Sequence, residues 1–192
     1  MNFAVFASGN GSNLQAIIDA LKSGQIKASL AVVFSDKADA FALKRAEAAG
    51  IATLHLSPKN YPDRTAFDAA VLKEMESRKI DLIVLAGYMR LLSSQFVQAY
   101  ANRMINVHPS YLPEFKGAHA IRDAFEAKVK ETGVSVHFVI DEVDSGAIIV
   151  QERVPILPND TLETLEQRIH AVEHRIYPKV VADIAAGKIV IR

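Results

Sequence analysis

The chain has 192 residues, half of them apolar, with 22 basic and 22 acidic side chains and no cysteine. Such a length holds one domain with a full core, and the balanced charge provides no global field for nucleic acid or an anionic membrane, so any anion site must be local. The missing cysteine excludes disulfides, thiolate metal sites and a cysteine nucleophile; the apolar start is too short for a secretion signal, and no run is long enough to span a bilayer, so a cytoplasmic protein is expected.

In chain order, Phe3–Ser8 reads as a buried strand, followed by Gly9-Asn-Gly-Ser-Asn13 and a helix over 12–22. Strands at Ser29–Ser35 and Ala52–His55 flank a helix over 38–49, and a helix over 63–78 leads to a strand at Asp81–Ala86. That strand lacks polar alternation, as expected when both faces are covered. A short helix over 93–100, a strand at 104–108, a Pro-bearing loop over 109–116 and a helix over 118–128 come next. Strands at 134–139 and 147–154 precede a long helix from about Asp160 to Ala186, where Asp160 with Glu163 resembles a capping box. The alternation in the first half predicts an α/β fold, a doubly wound, mostly parallel sheet with helices on both faces. Ligands of such sheets bind at the carboxyl ends of strands where strand order reverses. The loops after strands one, four and five should therefore meet at one crevice.

Gly9–Asn13 sits between a strand and a helix, so the amides of Gly11, Ser12 and Asn13 are free to hold a phosphate without a lysine. The Gly-Lys-Ser/Thr of a triphosphate loop is absent, and Leu14 replaces the third glycine of the dinucleotide fingerprint. One phosphate monoester suits the loop better than a pyrophosphate; the plain alternative is a strand-to-helix turn with no ligand. A side chain at Gly11 is expected to block this cradle.

The densest chemistry is Met-Ile-Asn-Val-His-Pro-Ser (104–110). Side chains at i and i+2 of a strand share a face, so Asn106 and His108 present an amide and an imidazole side by side, and Pro109 turns the chain away. This pair suits a reaction in which a carbonyl oxygen becomes negative, and Asp144 offers a carboxylate to hold and charge the imidazole. The competing reading is an inert strand end capped by hydrogen bonds.

In the long helix, Leu162, Leu165, Ile169, Val172, Ile176, Val180 and Ile184 form one apolar stripe. Glu173 falls inside it and needs a partner, either a structural cation or a ligand's amine or hydroxyl. His170-Ala-Val-Glu-His174 matches a zinc-peptidase pattern, but there the glutamate is the free base, whereas here it lies nearest the stripe; no metal is expected. His119 and His137 carry no motif and read as structural or site-wall histidines. Arg64 reads as a surface cation, and Arg90, after a buried strand, as a pocket residue. The absence of Gly-x-Ser-x-Gly argues against a serine hydrolase.

With Gly-Asn-Gly-Ser-Asn-Leu, Asn-Val-His-Pro-Ser and Val-Asp-Ser-Gly in this order, the chain resembles the phosphoribosylglycinamide formyltransferases, within the folate-dependent formyltransferase superfamily. The likeness runs essentially throughout, including Leu-Pro-Glu-Phe-Lys-Gly (112–117), Gly-Val-Ser-Val-His (133–137) and Glu-His-Arg-Ile-Tyr-Pro (173–178). Ala147 departs from an expected proline and Tyr111 from a common leucine. The resemblance implies a single Rossmann-like formyltransferase domain over 1–192, with the nucleotide phosphate held by about 1–100 and folate and catalysis by about 101–192. It implies formyl transfer from 10-formyltetrahydrofolate, as cosubstrate, to the amine of glycinamide ribonucleotide in purine biosynthesis, without a metal. Asn106, His108 and Asp144 would be catalytic. Arg64, Met89, Arg90, Leu91, Leu92, Asn106, Val139 and Ile140 would bind the folate, and Gly11, Ser12, Asn13, His170 and Glu173 the acceptor. Partners would be small molecules, with no nucleic acid or membrane, and the protein a monomer or homodimer. Alternatives are a formyltetrahydrofolate hydrolase, a formyltransferase for another amine, or a nonenzymatic nucleotide-binding module; the expected extra domains of the first two find no room here. The segment 110–131 is expected to be mobile and to gate the folate pocket.

Overall fold

A computed structural model of the protein describes residues 1–191. Seven strands form one sheet in the order β3-β2-β1-β4-β5-β6-β7. β1 (Asn2–Phe6), β2 (Ser29–Ser35), β3 (Thr53–His55), β4 (Leu82–Leu85) and β5 (Met104–His108) run parallel, whereas β6 (Glu131–Phe138) pairs antiparallel with both β5 and β7 (Ile148–Pro155). The helices are α1 (Ser12–Lys22), α2 (Phe41–Ala48), α3 (Arg64–Ser77), α4 (Ser94–Ala99), α5 (Ala120–Glu126) and α6 (Leu162–Ala185).

The period of two in β1 assigns each side chain to a core. Phe3 and Val5 pack with Leu14, Ile17 and Ile18 of α1 and the apolar stripe of α6. Ala4 and Phe6 pack with Phe67, Val71 and Met75 of α3 and Phe96 of α4. With both faces covered, β1, β2 and β4 are mostly apolar, which is why they are legible as runs. β1 lies between β2 and β4, so the chain winds outward in opposite directions from this point and opens a crevice at the carboxyl ends of β1 and β4.

Several boundaries differ from expectation by up to three residues, and two of these have a clear cause. β6 begins at Glu131 rather than Val134, because its pairing with β7 continues to Glu131 opposite Pro155. The cap of α6 is Thr161 with Thr164 rather than Asp160 with Glu163: each Thr side chain accepts the other's backbone amide. Asp160 instead accepts from the Leu157 amide and pairs with Arg168, which together hold its carboxyl far below the usual range.

Tyr177 of α6 is fully buried, and its hydroxyl lies 2.8 Å from the Leu85 carbonyl and 3.1 Å from that of Ile105. It thus braces the β4–β5 seam immediately before Asn106. Tyr177→Phe is expected to cost about 1–3 kcal/mol, because the carbonyls lose their donor in a dry core. Thermal melting should fall by roughly 2–4 °C per kcal/mol; an unchanged midpoint would remove the brace.

Candidate active site

Asn106 and His108 share the face of β5 on which Met104 enters the α3–α4 core. At the carboxyl end this face carries a groove of about 250 Å³. Leu85, Val97 and Val139 form its apolar wall, Asn106, His137 and Asp144 its polar end, and Arg64 and Arg90 its cationic side. Arg90 stacks its guanidinium 5.1 Å over the Phe67 ring. Asp68, buried behind the two arginines, accepts from the Ser93 amide at 2.5 Å; burial raises its carboxyl against that bond and the nearby cations.

The expected trio does meet. Asp144 Oδ2 lies 3.5 Å from His108 Nδ1 and accepts the Gly117 amide at 2.9 Å, and its Oδ1 lies 3.6 Å from His137 Nε2. Asn106 Nδ2 lies 3.2 Å from the same His137 nitrogen. Burial works to raise the Asp144 carboxyl, but His137, the Gly117 amide and His108 outweigh it and leave it below the usual range. Its backbone is left-handed, with φ 50, a conformation that aspartate tolerates better than most residues. A side chain at Gly146 would put Cβ 1.7 Å from the Phe138 carbonyl oxygen, so the turn carrying Asp144 lies flat against β6 only because residue 146 has none.

His108 differs from the simple picture. It is buried, and its Nε2 lies 2.8 Å from the Phe115 carbonyl. A carbonyl only accepts, so Nε2 carries a proton directed at the loop and not at the groove. Asp144, which lines the groove, stands as the open member of the pair.

Gly11 caps α1 with φ 76, and no side chain caps the helix's first turn. Asn13 Nδ2 and His170 Nδ1 both lie 2.9 Å from Glu173 Oε2. Glu173 is only 3% exposed, so the carboxylate in the apolar stripe is tied to the glycine loop on one side and to an imidazole on the other. That hydrogen bond raises the His170 pKa against partial burial, whereas burial lowers that of His174. The two histidines thus stand in unlike environments.

Of the residues expected to hold folate, Arg64, Arg90, Leu91, Leu92, Asn106, Val139 and Ile140 line the groove. Met89 does not: its side chain is 68% exposed, and its contribution is a backbone amide bound to Ser8 Oγ at 3.0 Å. The groove draws on both halves of the chain.

Three contributors carry no motif. Arg45 of α2 holds the glycine loop through Asn10, with Nε 2.8 Å from its carbonyl and Nη2 2.8 Å from Oδ1. His137 touches two of the three central residues. Ser8 donates to Asp36 at 2.6 Å, accepts the Met89 amide, and donates its own amide to the Gly87 carbonyl at 3.0 Å. It therefore clamps the folate-side turn to the strand that begins the glycine loop. Ser8→Ala is expected to raise the Michaelis constant for the formyl donor about tenfold, near the upper worth of one ordinary hydrogen bond, with the acceptor's constant little changed and Ser8→Thr restoring it. Equal shifts for both substrates would refute the clamp. In the sequence, Ser8 and Asp36 only stand at the ends of the first two expected strands, and nothing local pairs them.

The formyl transferase family model matches residues 1–181. Phosphoribosylglycinamide formyltransferase of Escherichia coli (strain K12) is 48% identical over 189 residues, covering 98% of this chain and 89% of that protein. Its namesake from Bacillus subtilis (strain 168) is 46% identical over 182 residues, covering 95% and 93%. The crystal structure of glycinamide ribonucleotide transformylase 1 from Symbiobacterium toebii aligns with a TM-score of 0.96 at 49% identity, over 100% of this chain and 91% of that one. Sequence and fold thus agree, and the chain belongs to the formyl transferase family, among the phosphoribosylglycinamide formyltransferases.

Proposed function

We propose that the protein transfers the formyl group of 10-formyltetrahydrofolate to the amine of glycinamide ribonucleotide, a step of purine biosynthesis, with small molecules as its partners and a cytoplasmic site of action. The observation that carries this reading is the grouping of an amide, a carboxylate and an imidazole at the end of a groove whose far side is cationic. The folate's pterin enters against Leu85, Leu92 and Val139, and its acidic tail runs toward Arg64 and Arg90. The acceptor's phosphate rests on the amides of Ser12 and Asn13 at the open end of α1, beside the His170 imidazole. Glu173 holds the cradle through Asn13 and lies toward the ribose.

The neutral amine attacks the formyl carbon directly. Its lone pair forms the new C–N bond, and the carbonyl pair moves onto oxygen. Asn106 donates to that oxyanion, an interaction worth roughly a hundred- to a thousandfold in rate. Asp144 takes the proton from the attacking nitrogen and, with His108 behind it, returns one to the folate N10 as the old C–N bond breaks. No protein–substrate bond and no metal are required.

One assay separates the alternatives. Protein is mixed with 10-formyltetrahydrofolate, with and without glycinamide ribonucleotide, and folate absorbance is followed. Acceptor-dependent change is expected; acceptor-independent change would indicate a hydrolase, and silence a binding module.

A further inference from the structure

The side chain of Asn106 can donate to an oxyanion only if its nitrogen, and not its oxygen, is turned to the formyl group. The torsion that decides this is broad and roughly two-fold, so a strand-end amide without a partner presents both. The partner here is His137, which faces Asn106 across the antiparallel β5–β6 register. His137 is 2% exposed, and a buried imidazole is costly unless its nitrogens are satisfied. Nδ1 lies 2.8 Å from the Phe138 carbonyl, which only accepts, so Nδ1 carries the proton. In the neutral form of the ring, Nε2 then offers a lone pair. The Asn106 nitrogen is at 3.2 Å, within hydrogen-bond reach, whereas Asp144 at 3.6 Å is not.

We propose that His137 is a positioning residue of the reaction: its Nε2 accepts one N–H of the Asn106 amide and so commits the second N–H of the same nitrogen to the forming oxyanion. The Phe138 carbonyl fixes the tautomer, the tautomer fixes the amide, and the amide meets the substrate. The inference rests on the oxyanion role given to Asn106 above and adds what makes that role possible. It also explains why a histidine, and not an apolar residue, occupies this buried position of β6.

A double-mutant cycle tests it, with the formyl-transfer assay as readout. His137→Leu is expected to lower kcat about 10- to 100-fold, within the worth of an oxyanion donor, with both Michaelis constants within about threefold of wild type. His137→Gln, which keeps an acceptor near Nε2, should recover kcat to within about fivefold of wild type. In an Asn106→Ala background, His137→Leu should add less than about twofold, because the interaction it supports is already gone. An undiminished loss in that background, or a normal kcat in His137→Leu alone, overturns the proposal. A normal kcat in Asn106→Ala would instead sink the oxyanion role itself, and this inference with it. An independent reading needs no variant: the imidazole nitrogen shifts of His137 in the 15N-labelled wild-type protein should report a protonated Nδ1 and a bare Nε2 at the assay pH. The opposite tautomer, or an imidazolium, overturns the proposal even if His137→Leu fails to fold.

Discussion

Asp144→Asn is expected to lower turnover at least about a hundredfold, at the scale of a positioned acid–base group, with a melting point close to that of the native protein. The second half of that expectation comes from the backbone. Residue 144 sits at φ 50, and asparagine is among the few side chains that tolerate the left-handed region. Its amide oxygen also replaces the acceptor that Gly117 requires at 2.9 Å. Only the charge and the proton-carrying capacity are removed, both of which face His108 and the groove. His108→Ala should lose at least a comparable factor, with an added stability cost of about 1–3 kcal/mol as the Phe115 carbonyl loses its donor. Steady-state rates with both substrates saturating, together with thermal melting, check both. Turnover within a few-fold of native for either variant would reject the assigned roles.

Gly11→Val has the second large effect, and the structure changes its meaning. The expected consequence was a blocked phosphate cradle. A Cβ at residue 11 would instead lie 2.7 Å from the Ala42 Cβ and 2.8 Å from its Cα, on a backbone with φ 76. α2 presses on the loop at this point, where the Ala42 amide also donates to the Gly9 carbonyl at 3.1 Å. Left-handed strain of roughly 1–2 kcal/mol and overpacking of roughly 1–3 kcal/mol should together lower the melting point by about 4–20 °C. A rise in the acceptor's Michaelis constant would then report damage as much as blockage. Ser12→Asp isolates the cradle. An acidic residue in the first turn favours the helix, so the fold should hold, while its charge opposes a bound phosphate. The acceptor's Michaelis constant should rise at least about tenfold, the equivalent of 1.4 kcal/mol, and the folate's should stay within about twofold. Equal changes would dismiss the cradle.

The strands were legible because both faces of a parallel sheet demand unbroken apolar runs, and β2 and β5 fall where those runs lie. Helix ends were less so. Asp160, Thr161, Glu163 and Thr164 all suit a cap, and only the fold decides that Asp160 is taken by Arg168. At the site, Asn106 and His108 declared themselves through strand periodicity, with Asp144 offered as the carboxylate for the imidazole, and the resemblance then implied that all three are catalytic. The direction of His108 Nε2 was not legible, since it depends on a carbonyl of the neighbouring loop. Nor were Ser8 with Asp36, Arg45 with Asn10 or Asn106 with His137, because separations of 28, 35 and 31 residues leave no trace in local pattern.

The 31 positions separating Asn106 from His137 leave β5 and return on β6, so the two side chains stand at the neck of an excursion. The cost of closing a loop grows only with the logarithm of its length. Extra chain at the exposed tip of that excursion, around Ala127 and Lys128, would therefore barely tax the neck. A peptide tag or optical reporter grafted there would ride on the catalytic hairpin while leaving its hinge intact.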